Sequence, residues 1–95
     1  MQLAFTAVAI EWRGPAPFVF VPVPADESEL IRESASELTY GWGVIPVSAT
    51  IGGTAFTTSL FPRDGGYLLP LKVAVQRAEG LGVGDEVAVR MRLGR

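Results

Sequence analysis

Residues 44–61, with the sequence VIPVSATIGGTAFTTSLF, decide the fold. Two arms, Val44 to Ile51 and Thr54 to Phe61, flank the dipeptide Gly52-Gly53. Consecutive glycines readily adopt the positive φ angles that a two-residue hairpin turn requires. The segment therefore predicts an antiparallel β-hairpin at the centre of the chain.

A turn at Gly52-Gly53 also fixes which residues of the two arms face each other. It pairs Ile51 with Thr54 and Ile45 with Leu60, and side chains alternate between the two faces of a strand. One face, which we assign to the core, then carries Ile45, Val47, Ala49, Ile51, Thr54, Phe56, Thr58 and Leu60. The opposite face is an uncharged surface rich in hydroxyl groups, formed by Ser48, Thr50, Ala55, Thr57 and Ser59.

The residues before the hairpin predict two strands and one helix. Leu3 to Trp12 alternates as a strand with apolar residues on both faces, and Phe18 to Val21 forms a short second strand between prolines. After Pro24 the apolar residues Leu30, Ile31, Ala35 and Leu38 follow a helical period, with acids in the first turn. One amphipathic helix therefore precedes the hairpin.

The residues after the hairpin predict a strand, a short helix and a final strand. Tyr67 to Leu69 reads as a short strand, and Pro70 suits the first turn of a helix that ends at Arg77 or Glu79 and is capped by Gly80. The last strand points Val87, Val89, Met91 and Leu93 inward. Six short strands and two brief helices thus predict one mostly β domain over residues 1–95, a small, closed or partly closed barrel without exposed strand edges.

Composition excludes several classes of site. The 95 residues contain no cysteine and no histidine, which removes thiol nucleophiles, disulfides, zinc sites of the Cys/His type and imidazole chemistry. No cofactor and no metal site is predicted, and no catalytic constellation is recognisable. The absence of cysteine, an export signal and a spanning apolar segment favours a cytoplasmic domain with no membrane contact.

Charge is distributed unevenly along the chain. The net charge is −2, yet residues 25–38 hold five acids against one arginine, a net −4, which leaves +2 for the remainder. An acidic chain is the wrong sign for a domain that neutralises phosphates, so nucleic acid is not an expected partner. One acidic element is predicted on a mildly basic body.

Several motifs together carry a family resemblance. They are the stretches Phe5 to Trp12, Gly41-Trp42-Gly43, Ile51-Gly52-Gly53, Thr58-Ser59-Leu60-Phe61-Pro62, Gly66 to Lys72 and Ala78 to Val87. The chain resembles a widespread bacterial family of domains of unknown function, which often stands alone or is fused ahead of a bacteriocin-protection, OmpD-associated-like domain. The resemblance implies a double-split β-barrel, a fold shared with AbrB-like and MazE-like DNA-binding proteins, and implies no activity.

The candidate ligand-binding residues are the cations and aromatics nearest these motifs: Arg63, Tyr67, Lys72, Arg77, Thr58 and Trp42. Lys72 lies in the predicted first turn of a helix, where free backbone N–H groups favour the binding of an anion. The alternative is that Lys72 pairs with Asp64, Asp85 or a backbone carbonyl and fixes a loop. Any pocket is expected between residues 40–42, Tyr67 and the Lys72 helix, and Trp12 belongs to the same set of groove-forming aromatics.

Three functions remain open. The first is a non-enzymatic binding or interaction module that presents the hydroxyl surface or the Arg63, Lys72 and Arg77 region to a small anion, a partner protein or a second copy. The second is an AbrB-like DNA-binding barrel dimer, favoured by outward Arg90, Arg92 and Arg95 and opposed by a pI of about 5.0. The third is a small hydrolase or transferase that uses Lys72 as a base for a serine or threonine hydroxyl.

Overall fold

The computed structural model describes residues 1–13, 17–38 and 44–94. Within these ranges it contains seven strands and two helices, so the prediction of a mostly β domain with two helices is confirmed. The elements are β1 (Gln2–Val8), β2 (Ile10–Arg13), β3 (Pro17–Pro22), α1 (Ala25–Leu38), β4 (Ile45–Ile51), β5 (Thr54–Arg63), β6 (Gly66–Pro70), α2 (Val73–Glu79) and β7 (Glu86–Leu93).

The strands form one curled sheet in the order β1-β7-β4-β5-β6-β3-β2. Its two outermost strands, β1 and β2, follow each other in the chain and are separated by Ala9 alone. The prediction of a single strand from Leu3 to Trp12 is therefore wrong: the segment bends at Ala9 and forms two strands, one at each end of the sheet. The sheet is curled as a half-barrel. It has seven strands instead of the predicted six because the first predicted strand is divided at Ala9.

Ala9 leaves the ladder because its backbone pairs with a loop. Its N–H donates to the Asp85 carbonyl and its carbonyl accepts from the Gly84 N–H, both at 2.9 Å. The loop itself is a tight turn, in which the Gly82 N–H donates to the Asp85 carboxylate at 2.8 Å. The predicted Gly82-to-Asp85 turn thus holds the bend in place as well as leading into β7.

The hairpin has the predicted register. Ile51 pairs with Thr54 and Ile45 with Leu60 across β4 and β5. Thr58 and the β4 side chains of the assigned core face are buried, while Thr54 and Phe56 are half-buried. β7 then pairs with the free side of β4, and its four odd-numbered residues are buried as predicted.

The helices confirm the predicted end of the second helix at Gly80 and correct its predicted start at Pro70. α1 extends over 14 residues, longer than a brief helix, and begins directly after Pro24. Pro70, however, is the last residue of β6 and pairs with Phe20 rather than starting α2, so that prediction is wrong. The pairing of β6 with β3 carries the extended backbone past Pro70, since the Leu71 N–H donates to the Val19 carbonyl, and the helix starts only at Val73. Gly80 does end α2 in a left-handed conformation, as predicted.

The core fills the inside of the curled sheet and is covered by α1. The largest fully buried side chains are Val21, Ile31, Ile45, Val47, Leu60, Leu69, Val87 and Val89. Burial of such side chains supplies the main favourable term for folding in a chain without disulfides. Neither helix in the described part of the chain has the length and hydropathy of a membrane span.

Candidate functional site

A groove of about 800 Å³ runs between β2, the β5–β6 turn and the loop before β7. Its lining residues include Ile10, Trp12, Leu68 and Val83 as apolar walls, and Arg63 and Tyr67 from the predicted set. Glu11 and Asp64 add two carboxylates. The groove therefore combines apolar side chains with charged and polar groups, which in small-molecule sites fix the orientation of a ligand.

The β5–β6 turn places Arg63 in this groove. The turn residues Asp64 and Gly65 have φ angles of 50° and 78°, and Arg63 pairs with Gly66 across them. Asp-Gly is a favoured pair for such a turn because both residues tolerate positive φ. Arg32 of α1 donates to the Gly65 carbonyl and is itself paired with Glu29 at 2.7 Å, so the turn is braced from outside the sheet.

Arg63 lies flat over an aromatic ring. Its guanidinium carbon is 3.5 Å from the centroid of the Trp12 ring, and its Nε donates to the Asp64 carboxylate at 3.3 Å. Cation–π contact attracts the guanidinium to the electron-rich face of the indole. Trp12 is 39% exposed, so the pair lies at the surface of the groove rather than in the core.

The other candidate residues do not join this groove. The Lys72 amine donates to the Thr57 carbonyl at 2.7 Å, and Lys72 immediately precedes α2 instead of lying in its first turn. Lys72 thus pairs with a backbone carbonyl, one of the partners that the alternative named, and that carbonyl belongs to β5. Arg77 lies exposed in the last turn of α2, and Thr58 is buried in the core face of β5. Trp42, with the rest of the 40–42 loop, lies outside the described residues.

The outer side of β2, β3 and the end of β5 is aromatic, and we refer to it as the aromatic face: Ile10, Trp12, Phe18, Phe20 and Phe61. Trp12 pairs with Phe18 and Ile10 with Phe20 across β2 and β3. The Phe20 ring lies 6.3 Å from Phe18 and 6.4 Å, edge to face, from Phe61. Phe18 is 57% exposed and Phe61 47%.

The outer side of β1, β7, β4 and β5 carries arginine, hydroxyl and amide side chains between alanines, and we refer to it as the arginine face. It is a depression of about 760 Å³. Its outward residues are Gln2, Ala4, Ser48, Thr50, Ala55, Thr57, Arg90 and Arg92. The hydroxyl surface predicted from the hairpin thus adjoins the two arginines of β7, because β7 pairs with β4.

Among the described residues, no three metal-ligating side chains lie close enough together to hold a metal ion. In a comparison with protein families, the model of a domain of unknown function, DUF1905, matches residues 5–91. The chain belongs to the DUF1905 family. No curated protein matches this DUF1905 domain. The resemblance of the chain to a family of domains of unknown function is thus confirmed.

The sequence identifies Arg63 and Tyr67 of this DUF1905 domain as candidate ligand-binding residues, but it predicts the pocket beside Tyr67 and Lys72 and not beside Arg63. It indicates Trp12 only as a groove aromatic and Asp64 only as a partner of Lys72, so it does not predict the contacts of Arg63. The Asp-Gly turn is the signal that could have found the site. It makes Arg63 the last outward residue of β5 and sets it beside the strand that carries Trp12.

Proposed function

We propose that this domain is a non-enzymatic binding module that holds a small organic anion in the groove of Trp12, Arg63 and Tyr67. The observation that carries the proposal is the guanidinium of Arg63 placed over the Trp12 ring, in a groove that also has apolar side chains in its walls. A stacked guanidinium loses less conformational freedom when it binds, because one face and the direction of its plane are already set. Arg63 is therefore a suitable anchor for a carboxylate or phosphate.

Among the described residues, the hydrogen bonds of Arg63 leave its two terminal nitrogens available to a ligand. The contact with Asp64 uses Nε at the long distance of 3.3 Å, and Asp64 itself is largely exposed. Ion pairs of this exposed kind are weak, so a ligand carboxylate can compete for the guanidinium. The two terminal nitrogens form the fork that matches a carboxylate or phosphate with two parallel hydrogen bonds.

The groove walls favour an anion that has an apolar body. Ile10, Leu68 and Val83 supply hydrocarbon surface in the same groove as Arg63, and Trp12 adds its ring. Burial of ligand hydrocarbon against these walls adds favourable binding free energy, which inorganic phosphate cannot gain because it has no hydrocarbon. The proposed ligand is thus a small aromatic or aliphatic carboxylate or phosphate ester.

The position of Lys72 supports binding over catalysis. A lysine base for a hydroxyl nucleophile has to reach that hydroxyl. The amine of Lys72 is instead directed at the Thr57 carbonyl, outside the groove.

We also propose a cytoplasmic location, because a chain without cysteine gains nothing from an oxidising compartment.

Fluorescence of Trp12 tests the proposal. In a Trp42→Phe background, Trp12 is the one remaining tryptophan, since the sequence has two. We expect benzoate and phenyl phosphate to change its emission saturably, with dissociation constants at or below about 1 mM, and neutral benzamide to bind far less. Arg63→Ala should weaken binding by about tenfold or more, the value of a charged hydrogen bond, whereas Arg77→Ala should not. Equal binding of benzamide, or equal loss in the two variants, contradicts the proposal.

A second candidate function, self-association, is supported by the aromatic face. Contiguous exposed apolar residues on a small domain commonly mark an interaction surface, and aromatic residues with arginine are enriched in such contacts. We propose a second copy of the chain as the occupant. Sedimentation should then show a mass that rises with concentration and falls to the monomer in Phe18→Ser. Val73→Ser, which removes an equally exposed apolar residue of α2, is the control. A monomer at all concentrations contradicts self-association and leaves the groove proposal intact.

A further inference from the structure

The arginine face concentrates positive charge that no acid offsets. Among the described residues, neither Arg90 nor Arg92 has an ion pair, and both side chains are exposed. The nearest acid on the outward side of β7 is Glu86, four positions before Arg90 and beyond Ala88. The outward positions that β1, β4 and β5 contribute to the depression carry no charge. This face is therefore locally cationic, although the chain as a whole is acidic.

Strand register arranges the face in two rows. One row runs Gln2, Arg92, Ser48 and Thr57 across β1, β7, β4 and β5, and the next runs Ala4, Arg90, Thr50 and Ala55. Neighbouring strands are about 4.8 Å apart, and successive outward residues on a strand are about 6.7 Å apart. Each arginine thus has a hydroxyl side chain beside it on the next strand.

Arginine flanked by hydroxyl donors matches phosphate. Guanidinium groups bind phosphate oxygens in pairs, and Ser and Thr hydroxyls are regular donors to nucleic-acid phosphates. The small side chains Ala4, Ser48, Thr50 and Ala55 form the floor of the depression, so a chain of phosphates can approach the backbone of the sheet. Lys72, held at the Thr57 carbonyl, places a third cation at the end of the first row.

We infer that the arginine face binds the backbone of a single-stranded nucleic acid. Each exposed arginine contributes little on its own, which argues against capture of a free phosphate and for a polymer that makes several contacts at once. β5 continues from Thr57 through Ser59 to the exposed Phe61. An exposed aromatic ring next to a cationic track offers a base an unselective stacking surface, which a duplex cannot use because its bases are already stacked.

The acidity of the chain does not oppose this placement. The excess of acids lies in residues 25–38, and α1 packs against β6 and β4 with Ile31 in the core. No outward residue of the depression comes from α1.

The test is fluorescence anisotropy of a labelled oligothymidine of about eight nucleotides with the full chain at low salt. We expect saturable binding whose logarithm falls with the logarithm of salt concentration by about 0.7 for each phosphate contacted. The Arg90→Ala/Arg92→Ala double variant should lower affinity by about tenfold at low salt and reduce that slope by about 1.4. Both positions are exposed, and an unchanged urea midpoint will confirm that the variant is folded.

Two further variants separate the parts of the proposal. Phe61→Ser should lower affinity without changing the salt slope, because stacking releases no counterions. Arg77→Ala removes one exposed arginine of α2 and should leave both affinity and slope as in the wild type. A loss with Arg77→Ala as large, per arginine removed, as that with the Arg90→Ala/Arg92→Ala double variant would show general charge attraction and overturn the proposal.

Competitors decide the class of ligand. Unlabelled oligothymidine should displace the probe, while a matched duplex and polyglutamate of equal charge should be much weaker. Equal competition by duplex or by polyglutamate overturns the single-strand proposal in favour of unselective anion binding.

Discussion

Thr54 Oγ1 donates a hydrogen bond of 2.6 Å to Glu79 Oε2, which connects the start of β5 to the last residue of α2. The same carboxylate lies against the hairpin turn, where a side chain at Gly52 would overlap it. Gly52 also has a φ angle of 58°, in the left-handed region. The turn that sets the register of the hairpin is therefore also where α2 attaches to the sheet.

Gly52→Ala should destabilise the domain more than any other change in this turn. The new methyl group forces a left-handed backbone on alanine, at about 1–3 kcal/mol, and displaces Glu79 from Thr54. Gly53→Ala is the matched control, because a Cβ there meets nothing within 4 Å. Urea unfolding of both variants gives the comparison. Equal losses at the two glycines would show that neither the left-handed backbone nor the Glu79 contact matters.

Ser28→Ala should weaken the start of α1. The buried Ser28 hydroxyl donates to the Val23 carbonyl at 3.1 Å, which fixes the segment that leads from β3 into the helix. Loss of the hydroxyl leaves that buried carbonyl with one acceptor site unfilled and should lower the free energy of unfolding by about 1 kcal/mol. Ser34→Ala, on the same helix, should cost less. Chemical denaturation followed by circular dichroism measures both, and a larger loss at Ser34 would refute the assignment.

A larger side chain at the bend between β1 and β2 should destabilise the domain. Ala9 is 1% exposed and bonded through both backbone groups to the β7 entry loop. Ala9→Leu should therefore reduce the free energy of unfolding by about 1–3 kcal/mol through overpacking, whereas Ala88→Leu on the exposed side of β7 should be nearly neutral. Thermal unfolding of the two variants provides the measurement. A neutral Ala9→Leu would mean that the bend is more loosely packed than its burial indicates.

Sequence reasoning predicted the elements best where local chemistry acts alone. Gly52-Gly53 and the alternation of its arms were enough to give the register, since hairpin pairing depends on the turn and on neighbouring residues. The division of the first strand at Ala9 could not be predicted in the same way. It depends on backbone hydrogen bonds to residues 84 and 85, at the other end of the chain.

The site was harder to predict than the fold, for the same reason. Arg63 and Trp12 are brought together only by the pairing order of β2, β3, β6 and β5, which no local pattern encodes. The arginine face likewise needs β7 to pair with β4. Pro70 failed as a helix start because a proline also fits the end of a strand, and the pairing with β3 decided between the two.

Arg63 and Trp12 should be energetically coupled in the absence of any ligand. The guanidinium 3.5 Å above the ring predicts a coupling free energy of about 0.5–1 kcal/mol for a cation–π pair at an exposed site. A double-mutant cycle of Arg63→Ala and Trp12→Ala in urea unfolding isolates that coupling from the separate losses of each side chain. The parallel cycle of Arg77→Ala with Trp12→Ala serves as the control and should give additive effects. Additivity in the Arg63 cycle as well would mean that Arg63 is not held on the indole in solution, and the groove would then lack its preorganised anchor.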